Sequence, residues 1–561
     1  MKMNKSFLLA ALSLLTVSSL AACSRGSNEM NDWEYDPEAT YEVGETVKEW
    51  RSNKDSQEVP LDVPEGGTGI REITKRLGHE DKVSLHYQIQ SSQNYITSEL
   101  EEDQFFTDLD VKDGDIISLY VYIPSDSNLA SLQLKLNSVV QSGYGAADPY
   151  SAESNELKVS ADIENTWIQL TATYKSVLVL NSIRLNYVPV DSGQEVEFYV
   201  DDINIEYGEE SVANEYVSND EHLYKSAEEY LKVGCCMSAN QILNTKARQV
   251  VKEQFNSVTA ENEGKPEQIL DQAACQALSD KSQVVITMKP FENIYDWCYR
   301  NHIGVRHHTF VWYSQTPAWF FNADYSNNGQ QASRDLMLKR MENFIKVTLE
   351  SINERWPGLV YAVDVANEAL QQTNIRSNNN KWYDTIGDNG NGDNFVYYAF
   401  KYASKYKEDY QELYYNDYEY DYNTSYCEYA LNTLLKKAIA ENLIDGVGIQ
   451  GHIDCDNLTP DIENAKLIKQ KGLKCQITEL DLTTSTNDEG YQKQKVAYKD
   501  MVNQILTLNK SGQTDVNALI VWGITDDTSW KRGQDPLLFT SSYKKKPAYY
   551  GFLEALNEFE G

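Results

Sequence analysis

Between residues 24 and 234 the chain has no cysteine, and nowhere does it carry a Cys-x-x-Cys pair. The second absence removes the common signature of a zinc site. After Cys23 come Cys235, Cys236, Cys275, Cys298, Cys427, Cys455 and Cys475. Seven residues without regular spacing are not a disulfide framework. They read as buried small apolar side chains, with one or two disulfides left open. Positive charge is scarce as well: 50 Lys and Arg stand against 85 Asp and Glu, a formal net charge of −35. That balance argues against nucleic acid and against an anionic membrane surface, both of which need basic patches. Solubility is its plainest use. No internal repeat or low-complexity segment stands out. The Gly/Asn-rich stretch 387–394 is a loop whose Asp388, Asn391 and Asp393 lack the spacing of a calcium loop.

What is present begins with a targeting segment. Lys2 and Lys5 give a basic start, and Phe7 to Leu20 is a mostly apolar run, short for a bilayer span. It ends in Leu20-Ala21-Ala22-Cys23 and resembles a bacterial lipoprotein signal, which implies cleavage before Cys23 and lipid on its new N-terminus. An ordinary secretory signal with a chance cysteine is the alternative. The expectation is an exported, surface-anchored lipoprotein with residues 24–33 as a polar tether.

At 561 residues two or three domains are expected. From about 34 to 207 short alternating runs recur, such as 115–123, 167–174 and 197–205, separated by turn residues. That pattern predicts an antiparallel β-sandwich. Residues 208–229 are polar and acidic and read as a linker. From 230 to 561 the rhythm changes to eight short apolar runs, at 230–238, 255–262, 304–312, 360–369, 412–418, 446–453, 475–482 and 518–526. Helical patterns lie between several of them; in 333–355, Met337, Met341, Phe344, Ile345, Thr348 and Ile352 form one stripe of core contacts. Eight strands alternating with helices predict an α/β fold, a (β/α)8 barrel, behind the all-β domain.

Two of those runs meet an acidic residue. Tyr361-Ala-Val-Asp-Val-Ala-Asn367 runs into Glu368, and Cys475-Gln-Ile-Thr478 runs into Glu479. Burying a carboxylate is costly unless something pairs with it. Functional groups of this barrel gather at the C-terminal ends of its strands. Two carboxylates facing one pocket there are the minimum apparatus for cleaving a glycosidic bond.

Seven motifs sharpen this. Asn256-Ser-Val-Thr-Ala-Glu261-Asn262-Glu263, His308-Thr-Phe-Val-Trp312-Tyr-Ser-Gln315 and Asp364-Val-Ala-Asn367-Glu368 come in order. Tyr415-Asn416-Asp417-Tyr418, Gly448-Ile-Gln450-Gly-His452, Thr478-Glu479-Leu-Asp481 and Trp522 through Trp530 follow. With them the segment 230–561 resembles a glycoside hydrolase family 10 catalytic domain, whose usual activity is endo-1,4-β-xylanase. The resemblance implies Glu368 as general acid/base and Glu479 as nucleophile, with His452 and Asp481 as its supporting pair. Asn367 would bond the sugar 2-hydroxyl or the nucleophile. Glu261, Asn262 and Lys265 would hold the glycone sugar beside the reacting one. His308, Trp312, Gln315 and Gln450 would line the reacting subsite, with Asn416 and Tyr418 also on the substrate groove. Trp522 and Trp530 would form an aromatic lid. Retention of configuration is implied, with carboxyls about 5–5.5 Å apart. No cofactor or metal is called for, xylan is the implied partner, and a monomer is expected.

Three positions depart from the family pattern: Gly264 and Pro266 replace its Met and Trp around Lys265, and Tyr313 replaces its His. They alter the walls around the catalytic pair, so a β-glucanase or mixed-specificity hydrolase stays open. So does a non-catalytic surface glycan-binding lipoprotein. The N-terminal sandwich resembles the jelly-roll carbohydrate-binding modules found beside xylanases, through Asp201 and Asp202 in its last strand and the Trp167 run. Tyr87, Tyr122 and Tyr144 are candidates for its sugar platform, with core packing as the alternative for each, and a structural calcium is left open.

Overall fold

The computed structural model describes residues 46–50, then 59–209 apart from 65, 81, 100–110, 112, 139–149 and 177–179, and then 221–559. The chain divides into two compact units, with the boundary at residues 210 and 211. Cys23 and Tyr144 lie outside the described residues. Among the described residues no helix is long and apolar enough to cross a membrane.

The first unit is two antiparallel sheets face to face. One runs Thr68–Thr74, Ser84–Gln90, Val196–Glu206, Ile116–Tyr122, Trp167–Thr173, with Thr46–Trp50 also paired to Val196–Glu206. The other runs Tyr95–Glu99, Leu180–Pro189, Leu129–Ser138, Tyr150–Glu153, with Leu157–Lys158 on Leu129–Ser138. Alternation decides the core: Leu85, Tyr87 and Ile89, then Ile117, Leu119 and Val121, meet Leu132, Leu134, Leu136, Ile183 and Leu185 from the facing sheet. The three alternating runs read from the sequence are all strands here.

The second unit is a closed barrel of eight parallel strands. They are β1 (Lys232–Met237), β2 (Ser257–Ala260), β3 (Gly304–Trp312), β4 (Val360–Asn367), β5 (Glu412–Asp417), β6 (Gly446–Ile449), β7 (Lys474–Thr483) and β8 (Val516–Val521). Each pairs with its successor, and β1 pairs with β8 to close the ring. Every predicted apolar run contributes one strand. The helix Arg334–Arg355 buries all six residues of the expected stripe, and the Ser333 hydroxyl accepts from the Leu336 amide at 3.3 Å as its N-cap.

The two acidic positions differ from the sequence expectation in one respect. Glu368 lies just past β4, as predicted, but β7 continues four residues beyond Glu479. The cause is a short extra strand, His452–Asp454, which pairs with residues 481–483 and supplies the partner that keeps β7 extended. His452 and Asp481 are opposed in that pairing.

Candidate active site

The C-terminal ends of β4, β5, β6 and β7 bring the two carboxylates together through a chain of amides. Asn416 Nδ2 donates to Glu479 Oε1 at 2.8 Å and to Asn367 Oδ1 at 2.9 Å. Asn367 Nδ2 in turn donates to Glu368 Oε1 at 3.2 Å, and Gln450 Nε2 donates to the same oxygen at 3.0 Å. The other oxygen of Glu368 accepts from the Trp312 indole at 3.0 Å. Asn367 therefore contacts Glu368 and, through Asn416, Glu479. Asn416, expected on the substrate groove, bonds the nucleophile candidate directly.

Glu479 is held differently. His452 spans two carboxylates, with Nε2 3.1 Å from Glu479 Oε2 and Nδ1 2.9 Å from Asp481 Oδ2. Burial opposes a charge on His452, but the charge and hydrogen bond of Asp481, with those of Glu479, raise its pKa to about 10. Burial alone would push the Glu479 carboxyl up. The bond from His452 and the charges of His308, His452 and Lys265 override it and hold the pKa at about 2. An ionised carboxylate is what nucleophilic attack at a sugar carbon requires. Asp481 also accepts from the Trp530 indole at 2.8 Å and pairs with Lys531 at 2.7 Å.

The predicted glycone cluster is assembled as well. Asn262 Oδ1 accepts from Lys265 Nζ at 2.9 Å and Gln315 Nε2 at 3.3 Å. Lys265 Nζ stands 4.8 Å from the centre of the Trp312 ring. Burial and the charge of Glu263 push the Glu261 pKa up, against Lys265. Burial lowers that of Lys265, opposed by Glu479, Glu261 and Glu368. Gly264 fits this crowding: a Cβ there would lie 2.7 Å from His308 O and 3.3 Å from the His307 ring. His308 is buried, with Nδ1 2.9 Å from Asp364 Oδ2.

The two lid candidates part company. Trp530 is 55 % exposed with its edge against His452, so its ring is free to pack on a sugar. Trp522 is buried edge-on against His308 and belongs to the wall. Tyr418 accepts a hydrogen bond from Arg376 at 3.0 Å.

Four contributors were not read from the sequence: Lys531, Arg376, Asp364 and Asp421. Asp421 accepts from the amides of Gly451 and His452, each at 3.0 Å, and so fixes the backbone under the imidazole. Asp364 binds the guanidinium of Arg306 inside the barrel. Asp364, a charged residue on a buried strand, lies within a quoted motif, and Lys531 directly follows one.

On the sandwich, Tyr87 takes the core-packing alternative. It is fully buried, stacks near Phe198 and donates to Leu61 O at 2.8 Å, because its strand position points into the core. Tyr122 points outward. Cross-strand register lines up His86, Tyr199, Tyr122 and Trp167 in one row, with successive ring centres 4.5, 5.9 and 5.5 Å apart. Glu197 bonds His86 at 2.9 Å and Tyr199 at 3.1 Å. Among the described residues His79, Glu80 and Asp202 bring potential ligand atoms within 4.8 Å of one another, and His79 Nδ1 is 2.8 Å from Asp202 Oδ2. The seven cysteines from Cys235 onward are all free thiols, six of them buried.

An eight-stranded barrel with paired carboxylates at its strand ends defines a glycoside-cleaving scaffold. The family model of glycosyl hydrolase family 10 matches residues 222–555, and the chain belongs to that family. It is 36 % identical over 350 residues to the bifunctional endo-1,4-beta-xylanase XylA of Ruminococcus flavefaciens, covering 60 % of this chain and 34 % of that protein. It is 32 % identical over 425 residues to endo-1,4-beta-xylanase Y of Acetivibrio thermocellus, covering 71 % and 38 %. The chain thus spans little more than a third of the length of these curated relatives. One solved structure comprises the CBM22-1 and GH10 modules of the N-terminal endo-1,4-beta-D-xylanase 10B of Clostridium thermocellum, complexed with xylohexaose. It shares the fold at 24 % identity and a TM-score of 0.58, over 87 % of this chain and 94 % of that one.

The charges at His452 and Glu479 set a pH dependence. The His452 pKa is raised above its ordinary value, so its contribution to stability is complete below about pH 6.5 and is lost as pH rises through the folded-state pKa of about 10. The Glu479 contribution has the opposite sign. It is present above the ordinary carboxylate range and is lost as pH falls through about 2. Urea unfolding of wild type and His452→Gln is therefore expected to show a stability gap that is widest at mildly acidic pH and narrows through about pH 10. A gap unchanged up to pH 11 (about one unit past that value) would contradict a charged imidazole.

Proposed function

We propose that this chain is a retaining endo-1,4-β-xylanase. The observation that carries the reading is the asymmetry of its carboxylates. Glu479 is held as an ion by His452 and Asn416, while Glu368 is bonded by the neutral donors Trp312, Gln450 and Asn367. In the first step a Glu479 oxygen attacks the anomeric carbon, the glycosidic bond breaks, and the Glu368 proton passes to the leaving oxygen. In the second, Glu368 takes a proton from water, the hydroxide oxygen bonds the anomeric carbon, and the Glu479 ester bond breaks. The sugar leaves with its configuration retained. Asn262, Lys265 and Gln315 bind the glycone hydroxyls, and Trp530 covers the sugar face.

Glu479→Ala is expected to abolish release of reducing sugar from xylan. Glu368→Ala should slow poor leaving groups by about 10²–10⁴-fold and activated aryl glycosides far less. The same assay on cellulose and mixed-linkage glucan tests the substrate. Equal rates there would replace the xylanase reading by a mixed-specificity one, and appreciable xylan hydrolysis by Glu479→Ala would sink the mechanism.

The sandwich serves as a glycan-binding module through its outward row of rings, which supplies flat faces for sugars with Glu197 as the polar partner. In the inactive Glu479→Ala background, the double change Tyr122→Ala and Trp167→Ala should reduce retention on insoluble xylan several-fold. Retention unchanged by it would remove the platform.

The Cys23 motif supports export as a lipoprotein anchored at the cell surface. Labelled palmitate should enter the chain expressed in a bacterial host, and Cys23→Ser should prevent it. A wild-type chain that is exported without taking up the label would leave the ordinary secretory alternative.

A further inference from the structure

Glu368 carries φ of +50°. A left-handed backbone costs a non-glycine residue of order 1–3 kcal/mol, so surrounding structure must over-determine it. Four backbone anchors do so. The Glu368 amide donates to Asn416 O at 2.9 Å, and the next two amides, of Ala369 and Leu370, donate to Tyr415 Oη at 3.0 Å and Asp417 Oδ2 at 3.1 Å. Those three anchors all come from β5. The fourth does not: the Glu368 carbonyl accepts from Arg376 Nε at 3.0 Å.

Arg376 reaches that carbonyl because the chain folds back on itself. Leu370–Gln371 pairs with Asn374–Ile375, and the Arg376 amide donates to Ala369 O at 2.8 Å. Its guanidinium stands 4.4 Å from the ring centre of Tyr313 and 6.0 Å from that of Tyr418. Nη2 bonds Tyr418 Oη at 3.0 Å and pairs with Glu419 at 3.4 Å. Arg376 is buried, so these partners are what offset its desolvation. A planar guanidinium meets the ring face and the carbonyl at once, which an ammonium on a flexible stem does not.

We propose that Arg376, braced on the ring of Tyr313, is a positioning residue for proton transfer, fixing the strained backbone of Glu368 so that its carboxyl meets the leaving oxygen. The inference rests on Glu368 being the acid/base. A carboxyl displaced by about 1 Å can cost on the order of 10²-fold in rate. The loss should scale with how much the leaving group needs the proton.

Aryl β-xylobiosides with leaving groups from dinitrophenol to phenol test this in the full chain. Arg376→Met is expected to lower kcat/KM for the phenyl glycoside at least about tenfold, within the range supplied by general acid catalysis. The dinitrophenyl glycoside should change less than about twofold, since it needs little protonation. Arg376→Lys and Tyr313→Ala should shift the ratio in the same direction, and Tyr313→Phe, which keeps the ring face, should keep the wild-type ratio. Should Arg376→Met not fold, Arg376→Lys and Tyr313→Ala carry the measurement. Equal losses on both substrates would mean a merely structural role and overturn the proposal. The Glu368→Ala control separates the two readings. If that control lacks the leaving-group split, the acid/base assignment fails and takes this inference with it. If it shows the split and the Arg376 and Tyr313 variants do not, only the inference fails.

Discussion

A carboxylate that must stay ionised inside a protein is the constraint on which the rest of this site depends. Glu479 is buried, so water cannot stabilise its charge. A cation of strength matched to the site has to do so, and His452 serves only because Asp481 holds its far nitrogen. Asp481 is itself buried and therefore needs its own donors, which Trp530 and Lys531 supply from the loop after β8. Removing any one of these partners leaves a buried charge uncompensated, which is costlier than losing a bond at the surface.

The barrel positions these groups by register more than by loop design. His452 opposes Asp481 because a three-residue strand extends past β6 and pairs with the end of β7. Asn416 reaches Glu479 from β5, and Asn367 reaches Glu368 from the end of β4. Glu479 thus lies within a barrel strand and Glu368 one residue beyond one. Trp530 and Gln315, proposed to meet the substrate, lie outside the strands. Gly264 marks the limit of that freedom, since any side chain there would run into the backbone of His308.

Much of this was legible in the sequence because strands that bury both faces read as apolar runs, and all eight runs became barrel strands. The helix Arg334–Arg355 was legible for the same reason, as a stripe at helical spacing. Motif order located Glu368, Glu479, His452 and Asp481, and the structure brings all four into one polar network. Other features were not legible because they depend on which neighbours the fold provides. Alternation could not say which way Tyr87 pointed, and the pleat sent it into the core while Tyr122 faced out. Trp522 falls inside the apolar run 518–526 and Trp530 beyond it, a local sign of their different burial that the shared motif obscured. Arg376 lies in a polar stretch after β4, and its importance appears only once the hairpin turns it back onto Glu368.

The double service of Asp481 has an evolutionary consequence. One carboxylate orients the imidazole behind Glu479 and also ties down the exposed indole of Trp530. Substitutions that reshape this loop will therefore perturb the charge balance around Glu479 as well. Selection for a new sugar cannot treat the two as separate modules.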